Sequence, residues 1–287
     1  RALFSSYDEL VALGVPLEDA RYVLPMATKT NNFVSTNLLS AVSYVSSVAS
    51  GAGFPEEEEL FATRLEKLLL KAFPSALKDY ELIKSRFKRS TTRFEDVFDK
   101  DFEGFLLDEY QAPLDYEFFN ASDLALRCLR VSFFGEGSVA MMHQLIRHND
   151  SVMIVEGFRS VGDRWRVVTP LSIQENEEAW DVFDLSVGIA KDYYSTNHSL
   201  YVLPHALSMR AYASFDGLSF SNLVSQRSCE NAQYEIRSKT IDLLKQLRKE
   251  DEVFELFGPS CYTGKCVEVW PCKIPKKDRV FFKSISG

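Results

Sequence analysis

Four arginines, Arg147, Arg159, Arg210 and Arg227, stand at or beside the ends of expected secondary-structure elements. A guanidinium presents a planar fork of donors, so it grips a phosphate or a pyrimidine carbonyl in bidentate fashion. Several of them converging on one point would make a pocket for an anion and a base. The same four side chains also read as solvated surface charges. His148 follows Arg147 directly and is either a cofactor-contacting group or a helix C-terminal residue favoured by the dipole. Cys229, Cys261, Cys266 and Cys272 read as a four-thiolate zinc clip, as partners in a disulfide, or as reduced thiols, with Cys128 lying apart. Gaps of four and five residues between the last three are looser than zinc sites usually show, and no Cys-x-x-Cys pair occurs, so no metal is assigned.

The chain that must position these groups has 287 residues, long enough for two domains or one large one. Hydrophobic residues make up 46% and charged residues 26%, which excludes collagen-like, low-complexity and wholly disordered chains. No apolar run approaches the roughly 20 residues of a membrane helix, and no charged-then-apolar leader is visible, so a cytoplasmic protein with no membrane partner is expected. Asp and Glu number 41 against 33 Lys and Arg, a net charge of -8. Such a balance repels a phosphate backbone, which argues against a polynucleotide but leaves room for one mononucleotide at a local arginine cluster.

Ser6 is placed as the cap of a short helix ending at Gly14, and Pro16 starts a second that stops before Pro25. Met26 to Ser35 is expected to be extended and Asn37 onward helical. A strong helix follows from Pro55, with Glu56 to Glu59 in its first turn and an apolar stripe of Leu60, Phe61, Leu65, Leu68 and Leu69. A further helix from about Ala76 to Arg89 leads into an acidic, aromatic connector. The domain boundary is set at 122/123. Beyond it, strands are expected over Leu126 to Phe134, Val152 to Val161, Arg164 to Val168 and Leu203 to Phe215. Helices are expected over Ser138 to Arg147, Glu177 to Tyr194 with Trp180, Phe183, Val187 and Ala190 on one side, Leu218 to Gln226, and Ala232 to Arg248. Without regular βαβ alternation the fold class is α+β, a mixed, largely antiparallel central sheet flanked by helices.

One echo organises the whole. Val23-Leu24-Pro25 is followed by an extended segment and two helices, and Val202-Leu203-Pro204 is followed by the same order. Residues 1 to 75 are therefore expected to be a partial, diverged copy of what recurs at 190 to 255, with the two units related by a pseudo-twofold axis. Accidental recurrence of a tripeptide is the alternative.

Gln144-Leu-Ile-Arg147-His148-Asn149, ending in Arg159, resembles the signature of flavin-dependent thymidylate synthases. Tyr201-Val-Leu-Pro204, then Arg210, Arg227 and Ala232-Gln233-Tyr234-Glu235-Ile236-Arg237, is similar to the second half of the same family. The Cys-rich tail from Gly258 to Cys272 resembles the end of some bacterial members. The resemblance covers roughly residues 125 to 272, with residues 10 to 75 as a weaker second C-terminal half whose own N-terminal half is not in this sequence. It implies a role in nucleotide biosynthesis: a methyltransferase reaction, the reductive methylation of dUMP to dTMP. FAD would carry hydride from NADPH and methylenetetrahydrofolate would supply the carbon. It places Gln144, Arg159 and Arg210 around the nucleotide phosphate and Arg227 at the uracil, with Arg147 reaching a nucleotide across a subunit interface. Arg227 and Arg147 would be the catalytic pair. His148, Asn222 and, from the first copy, Asn37 would be the flavin-side residues.

Several flavin-side positions depart from the family pattern. Asn149 stands for the second signature arginine, Val152 and Gly157 for its serines, and Val155, beside Glu156, for a glutamate. Asp216-Gly217-Leu218 replaces Asn-Ala-Arg, and Cys128 and Arg127 replace an upstream histidine and glutamate. In copy one, Asn31 and Val48 stand where the two arginines belong. Two functions follow: a diverged enzyme binding a dUMP-like nucleotide, or a noncatalytic pseudo-enzyme of the same fold serving binding or assembly. A homo-oligomer or an intramolecular pseudo-dimer is the expected state.

Overall fold

The computed structural model describes residues 1–27, 34–49, 56–85, 104–111, 123–148, 151–262, 266 and 272. Helix α1 (Ala2–Ala12) starts earlier than Ser6, whose hydroxyl instead donates back to the Ala2 carbonyl. Its end is as read: Gly14 takes φ 86°, Val15 N–H reaches the Leu10 carbonyl and Gly14 N–H that of Val11, so the last carbonyls are satisfied by a left-handed cap. A short α2 (Leu17–Ala20) opens after Pro16, and a 3-10 turn, Arg21–Val23, carries the chain to Pro25. The expected extended segment at Met26 to Ser35 falls largely on 28–33, outside the described residues.

Helices α3 (Leu38–Ala49), α4 (Glu56–Ala72) and α5 (Tyr80–Ser85) make a small layer of their own around Val42, Val45, Leu69 and Tyr80. The expected stripe of α4 is corrected here. Ala62, Leu65 and Leu69, three and four residues apart, turn inward, whereas Leu60, Phe61 and Leu68 are exposed.

The sheet has four strands in the order β1-β2-β4-β3, every neighbouring pair antiparallel: β1 (Phe105–Gln111), β2 (Arg130–Ser138), β3 (Ser151–Val155) and β4 (Ser208–Asp216). Strand β1 lies in what reads as connector, yet it pairs with β2 across the expected 122/123 boundary. Three further readings are corrected. Leu126 to Phe134 is split between α6 (Asp123–Cys128) and the start of β2. The end of the Val152 to Val161 run is helical, α8 (Phe158–Arg164), after β3 has finished at Val155. Arg164 to Val168 contributes only a single bridge, Val167 to Leu207.

Burial alternates along β4. Met209, Ala211, Ala213 and Phe215 are buried, and Arg210, Tyr212 and Ser214 are half-buried on the other face. The odd-numbered face packs with Phe133 of β2 under α11 (Gly217–Arg227) and α12 (Tyr234–Glu250), joined by α7 (Val139–Leu145) through Met141, Met142 and Leu145. Phe133 and Phe215 stack at 5.8 Å between ring centroids. A second core lies between α1, the short α9 (Leu171–Gln174) and α10 (Glu177–Asn197), where Leu10, Tyr22 and Val23 bury against Ile173, Phe183 and Val187. Trp180, expected on that buried side, is 42% exposed, because Ala179, Phe183, Val187 and Ala190 already fill the facing stripe. No described helix is long and apolar enough to cross a membrane.

The two Val-Leu-Pro motifs meet. Pro25 and Pro204 form an antiparallel bridge, with Met26 N–H donating to the Leu203 carbonyl at 2.8 Å and His205 N–H donating to the Leu24 carbonyl at 3.0 Å. The two bonds are equivalent under exchange of the motifs, and each motif is preceded by a 3-10 turn, Arg21–Val23 or Leu200–Val202.

Candidate functional site

Ser138 caps α7, its Oγ accepting the Met141 N–H at 3.0 Å, and so fixes where the helix starts. Gln144 and His148, four residues apart, then lie on one face at its C-terminal end, and both are buried. Arg227, the last residue of α11, is half-buried against them. Its Nε donates to His148 Nε2 at 3.1 Å, Nη1 to Gln144 Oε1 at 3.5 Å and Nη2 to the Gln144 carbonyl at 3.4 Å. To accept that bond His148 must be neutral. Burial first, and the Arg227 charge second, push its pKa down to about 4. Gln144 Nε2 is buried and meets no hydrogen-bond partner among the described residues. An amide donor left unmade in the interior costs about 1–3 kcal/mol, so an acceptor supplied by a ligand would be favoured there.

Arg147 is exposed on the other side of the α7 terminus. It neighbours His143, which meets the half-buried His205 edge to face at 5.2 Å. Both imidazoles are held below their usual pKa, by burial first and then, in each case, in part by Arg21. Arg21 is a cation that the sequence reading missed. The signal was present: Arg21 immediately precedes Tyr22-Val-Leu-Pro25, whereas Leu200 holds that position before Tyr201-Val-Leu-Pro204.

Arg210 belongs to a different cluster. The alternation of β4 sends it to the face away from α11, where Glu156, 1% exposed, collects donors. Arg210 donates from its backbone N–H at 3.0 Å and from Nη2 at 3.1 Å, Arg164 from Nη2 at 2.7 Å and Ser160 from Oγ at 2.9 Å. Burial raises the Glu156 pKa, but the Arg210 and Arg164 bonds outweigh it and hold the carboxyl below its ordinary value. Glu136 extends the network, taking Arg164 Nη1 at 2.9 Å, Arg166 Nη1 at 3.3 Å and Ser208 Oγ at 2.6 Å. Trp165, at φ 40°, ends α8 in the left-handed region, and the arginines on either side of it both reach Glu136.

The arrangement brings Gln144, His148 and Arg227 together. It sets Arg210 around Glu156 and leaves Arg159 exposed at the start of α8. Asn37 Oδ1 accepts the Ser40 N–H at 2.8 Å as a helix cap, and Asn222 Oδ1 accepts from Gln226 Nε2 at 2.7 Å. Asp216 caps α11, taking the Ser219 N–H at 2.8 Å. Val155 is 38% exposed, Cys128 and Arg127 are exposed, and Gly157 precedes α8. Asn149 and Asn31 lie outside the described residues, as does the side chain of Val152. Cys229 is buried, Cys261 and Cys272 are half-buried and Cys266 is exposed. No cluster of three or more His, Cys, Asp or Glu able to hold a metal occurs among the described residues.

A family profile described as "Thymidylate synthase complementing protein" matches residues 1–75 and 125–251. The flavin-dependent thymidylate synthase of Geobacter sulfurreducens is 28% identical over 143 residues, 46% of this chain and 62% of that protein. That of Clostridium tetani is 24% identical over 164 residues, 48% of this chain and 66% of that protein. The chain thus spans just under two thirds of the length of these relatives. Among solved structures, the flavin dependent thymidylate synthase from Helicobacter pylori complexed with FAD and dUMP is similar at 18% identity, over 53% of this chain and 97% of that one, with a TM-score of 0.41. With the profile matching on both sides of the connector, this chain belongs to the thymidylate synthase complementing protein family, the flavin-dependent thymidylate synthases.

Proposed function

We propose that the chain binds a dUMP-type nucleotide through Arg227, Gln144 and His148, and that it is a tandem member of its family in which residues 1–75 are a diverged half-copy paired with the unit at 190–255. The observation that carries the nucleotide reading is the Gln144 amide: a buried, unpartnered donor beside a guanidinium already oriented by His148. Amide and guanidinium donors side by side suit acceptors on a pyrimidine, which agrees with the uracil-side role that the family resemblance gives Arg227 but moves Gln144 from the phosphate to the base. The reciprocal Leu24–His205 and Met26–Leu203 bonds support the tandem reading and the intramolecular pseudo-dimer.

Flavin does not fit the residues present. A pyrophosphate needs donors, and at Asp216, Asn37 and His148 the side chains are engaged internally or carry the wrong charge. Asp216 occupies the N-terminus of α11 with a carboxylate, Asn37 caps α3, and His148 accepts from Arg227. This favours nucleotide binding over reductive methylation of dUMP by this chain alone. Arg147 and Arg159, both exposed, are available to a phosphate.

Calorimetry with dUMP tests the reading. Binding is expected, and Arg227→Ala should weaken it by about 1.5–3 kcal/mol, the worth of a charge-assisted contact. Lysine at this position should not rescue, because a point charge lacks the fork. Equal heats for wild type and Arg227→Ala would refute it. Purified protein should be colourless near 450 nm, and stoichiometric flavin surviving gel filtration would restore the full enzyme.

A further inference from the structure

We infer that Tyr22, in the N-terminal half-copy, is a positioning residue for the Gln144–His148–Arg227 site, acting through Glu235 and the Ser138 cap of α7. The inference rests on the proposal that this site binds the nucleotide. Tyr22 is fully buried and its hydroxyl donates to Glu235 Oε2 at 2.6 Å. Burial and the neighbouring Glu235 raise the phenol far above its usual range, so it remains a donor at all working pH values. Ser138 gives Glu235 two more bonds, N–H to Oε1 at 2.7 Å and Oγ–H to Oε2 at 2.5 Å.

The two hydroxyls also lie side by side, Ser138 Oγ 3.1 Å from the Tyr22 oxygen. The single hydrogens of Tyr22 and Ser138 both point at the carboxylate. The Tyr22 oxygen accepts Gln233 Nε2 at 2.8 Å, and Ser138 Oγ accepts the Met141 N–H. Gln233 Oε1 meanwhile takes the Glu235 N–H at 3.1 Å at the start of α12. One phenol therefore ties the first turns of α7 and α12 to the half-copy. The geometry leaves no slack: a Cβ on Gly137 would lie 2.6 Å from Glu235 Oε1 and 2.6 Å from Met141 Sδ, so only glycine lets the carboxylate reach the Ser138 N–H. Helix α7 is two turns long, so a shift at its cap is passed to Gln144 and His148 at the other end. Without the phenol, the carboxylate turns toward the Gln233 amide that the phenol had held, away from Ser138, and the cap loosens.

The test uses the whole chain carrying Tyr22→Phe, with the His148 imidazole titrated by NMR and dUMP affinity measured by calorimetry. The His148 midpoint, about 4 in the intact site, should rise toward the ordinary imidazole value as its burial and the Arg227 bond relax, and dUMP affinity should fall by roughly tenfold or less, the loss of one hydrogen bond at second hand. Glu235→Gln, which keeps the shape and weakens the same bonds, should move His148 the same way. Leu10→Ala is the control, since it destabilises the packing of the half-copy without touching Glu235. An unmoved His148 in both Tyr22→Phe and Glu235→Gln, or an equal shift in Leu10→Ala, would overturn the inference. If wild-type protein ignores dUMP, the nucleotide reading fails, and the His148 titration, which needs no ligand, still decides the coupling.

Discussion

Arg210 and Arg227 are the same residue type, 17 positions apart, and lie on opposite sides of β4, yet their neighbours make them different chemical objects. Arg210 is matched by a fully buried carboxylate that also holds Arg164, Ser160 and a backbone N–H. Arg227 faces an imidazole and an amide whose nitrogen meets no partner among the described residues. A guanidinium saturated by a buried carboxylate has spent its charge on the fold. Arg227 is oriented by the neutral acceptors of His148 and Gln144, as the proposed nucleotide site requires. Spacing in the sequence carries no trace of this difference, because Glu156 reaches Arg210 through the pairing of β3 with β4.

The largest effect that tests the contrast is on stability. Glu156→Ala removes the carboxylate that Arg164 and Arg210 share and should cost about 3–5 kcal/mol by urea denaturation, the usual loss when one member of a buried ion pair is removed. Arg227→Ala removes bonds to an imidazole and to Gln144 and should cost less, about 1–3 kcal/mol, the worth of hydrogen bonds from a charged group. Similar losses for the two variants would erase the distinction between structural and ligand-facing arginine.

The pH dependence should separate the regions next. His148 and His205, each brought down to about 4 in the folded chain, bind protons more tightly when unfolded, so the stability they confer is complete above the unfolded value near 6.5 and is lost as pH falls toward 4. For His148 alone this amounts to about 2–3 kcal/mol across that window. Glu156 has its pKa lowered, so its contribution is present above the ordinary carboxylate range and is lost only at lower pH, as it titrates through its folded value. Replacing His148 with Gln, which still offers Arg227 an acceptor, should flatten the stability profile between pH 6.5 and 4 and leave the steeper acid limb in place. A profile unchanged in that window would mean that the imidazole is already charged in the native protein.

The parts of the molecule that were legible share a local cause. Helices α11 and α12 and strand β4 announce themselves by period and caps, and Gln144 falls within a short helix opened by Ser138, with Arg147 and His148 just past its end. What stayed hidden depends on distant partners. Strand β1 is acidic and aromatic, and becomes a strand only because β2 offers it an edge. Leu126 has strand-like neighbours but folds into α6, whose end at Cys128 lets β2 begin at Arg130. Arg164 and Arg166 carry no motif, and their role appears only when Glu136 and Glu156 are brought beside them. The recurrence of Val-Leu-Pro was legible as a tripeptide. That the two motifs pair with each other at Pro25 and Pro204 was beyond the reach of the sequence alone.

A smaller effect probes the flavin-side residues that the comparison leaves outside both clusters. Asp216 and Asn37 cap helices, so Asp216→Ala and Asn37→Ala should each cost about 0.5–2 kcal/mol, with neither affecting dUMP affinity.

Asp216→Asn is the most delicate change and bears directly on whether this helix terminus can meet a flavin pyrophosphate. Asparagine caps as well as aspartate, so the bond to Ser219 N–H should survive; only the favourable carboxylate–dipole term, about 0.3–1 kcal/mol, is lost. The α11 N-terminus then presents its partial positive charge to an incoming anion without a carboxylate in front of it. If charge at this position is what repels a pyrophosphate, the variant should retain more FAD on gel filtration than wild type, read as absorbance near 450 nm, and the gain should shrink in high salt as the exposed charges are screened. If retention is equally poor in both proteins, the missing donors rather than the added anion govern the misfit, and restoring the cation at position 149 becomes the change that should matter.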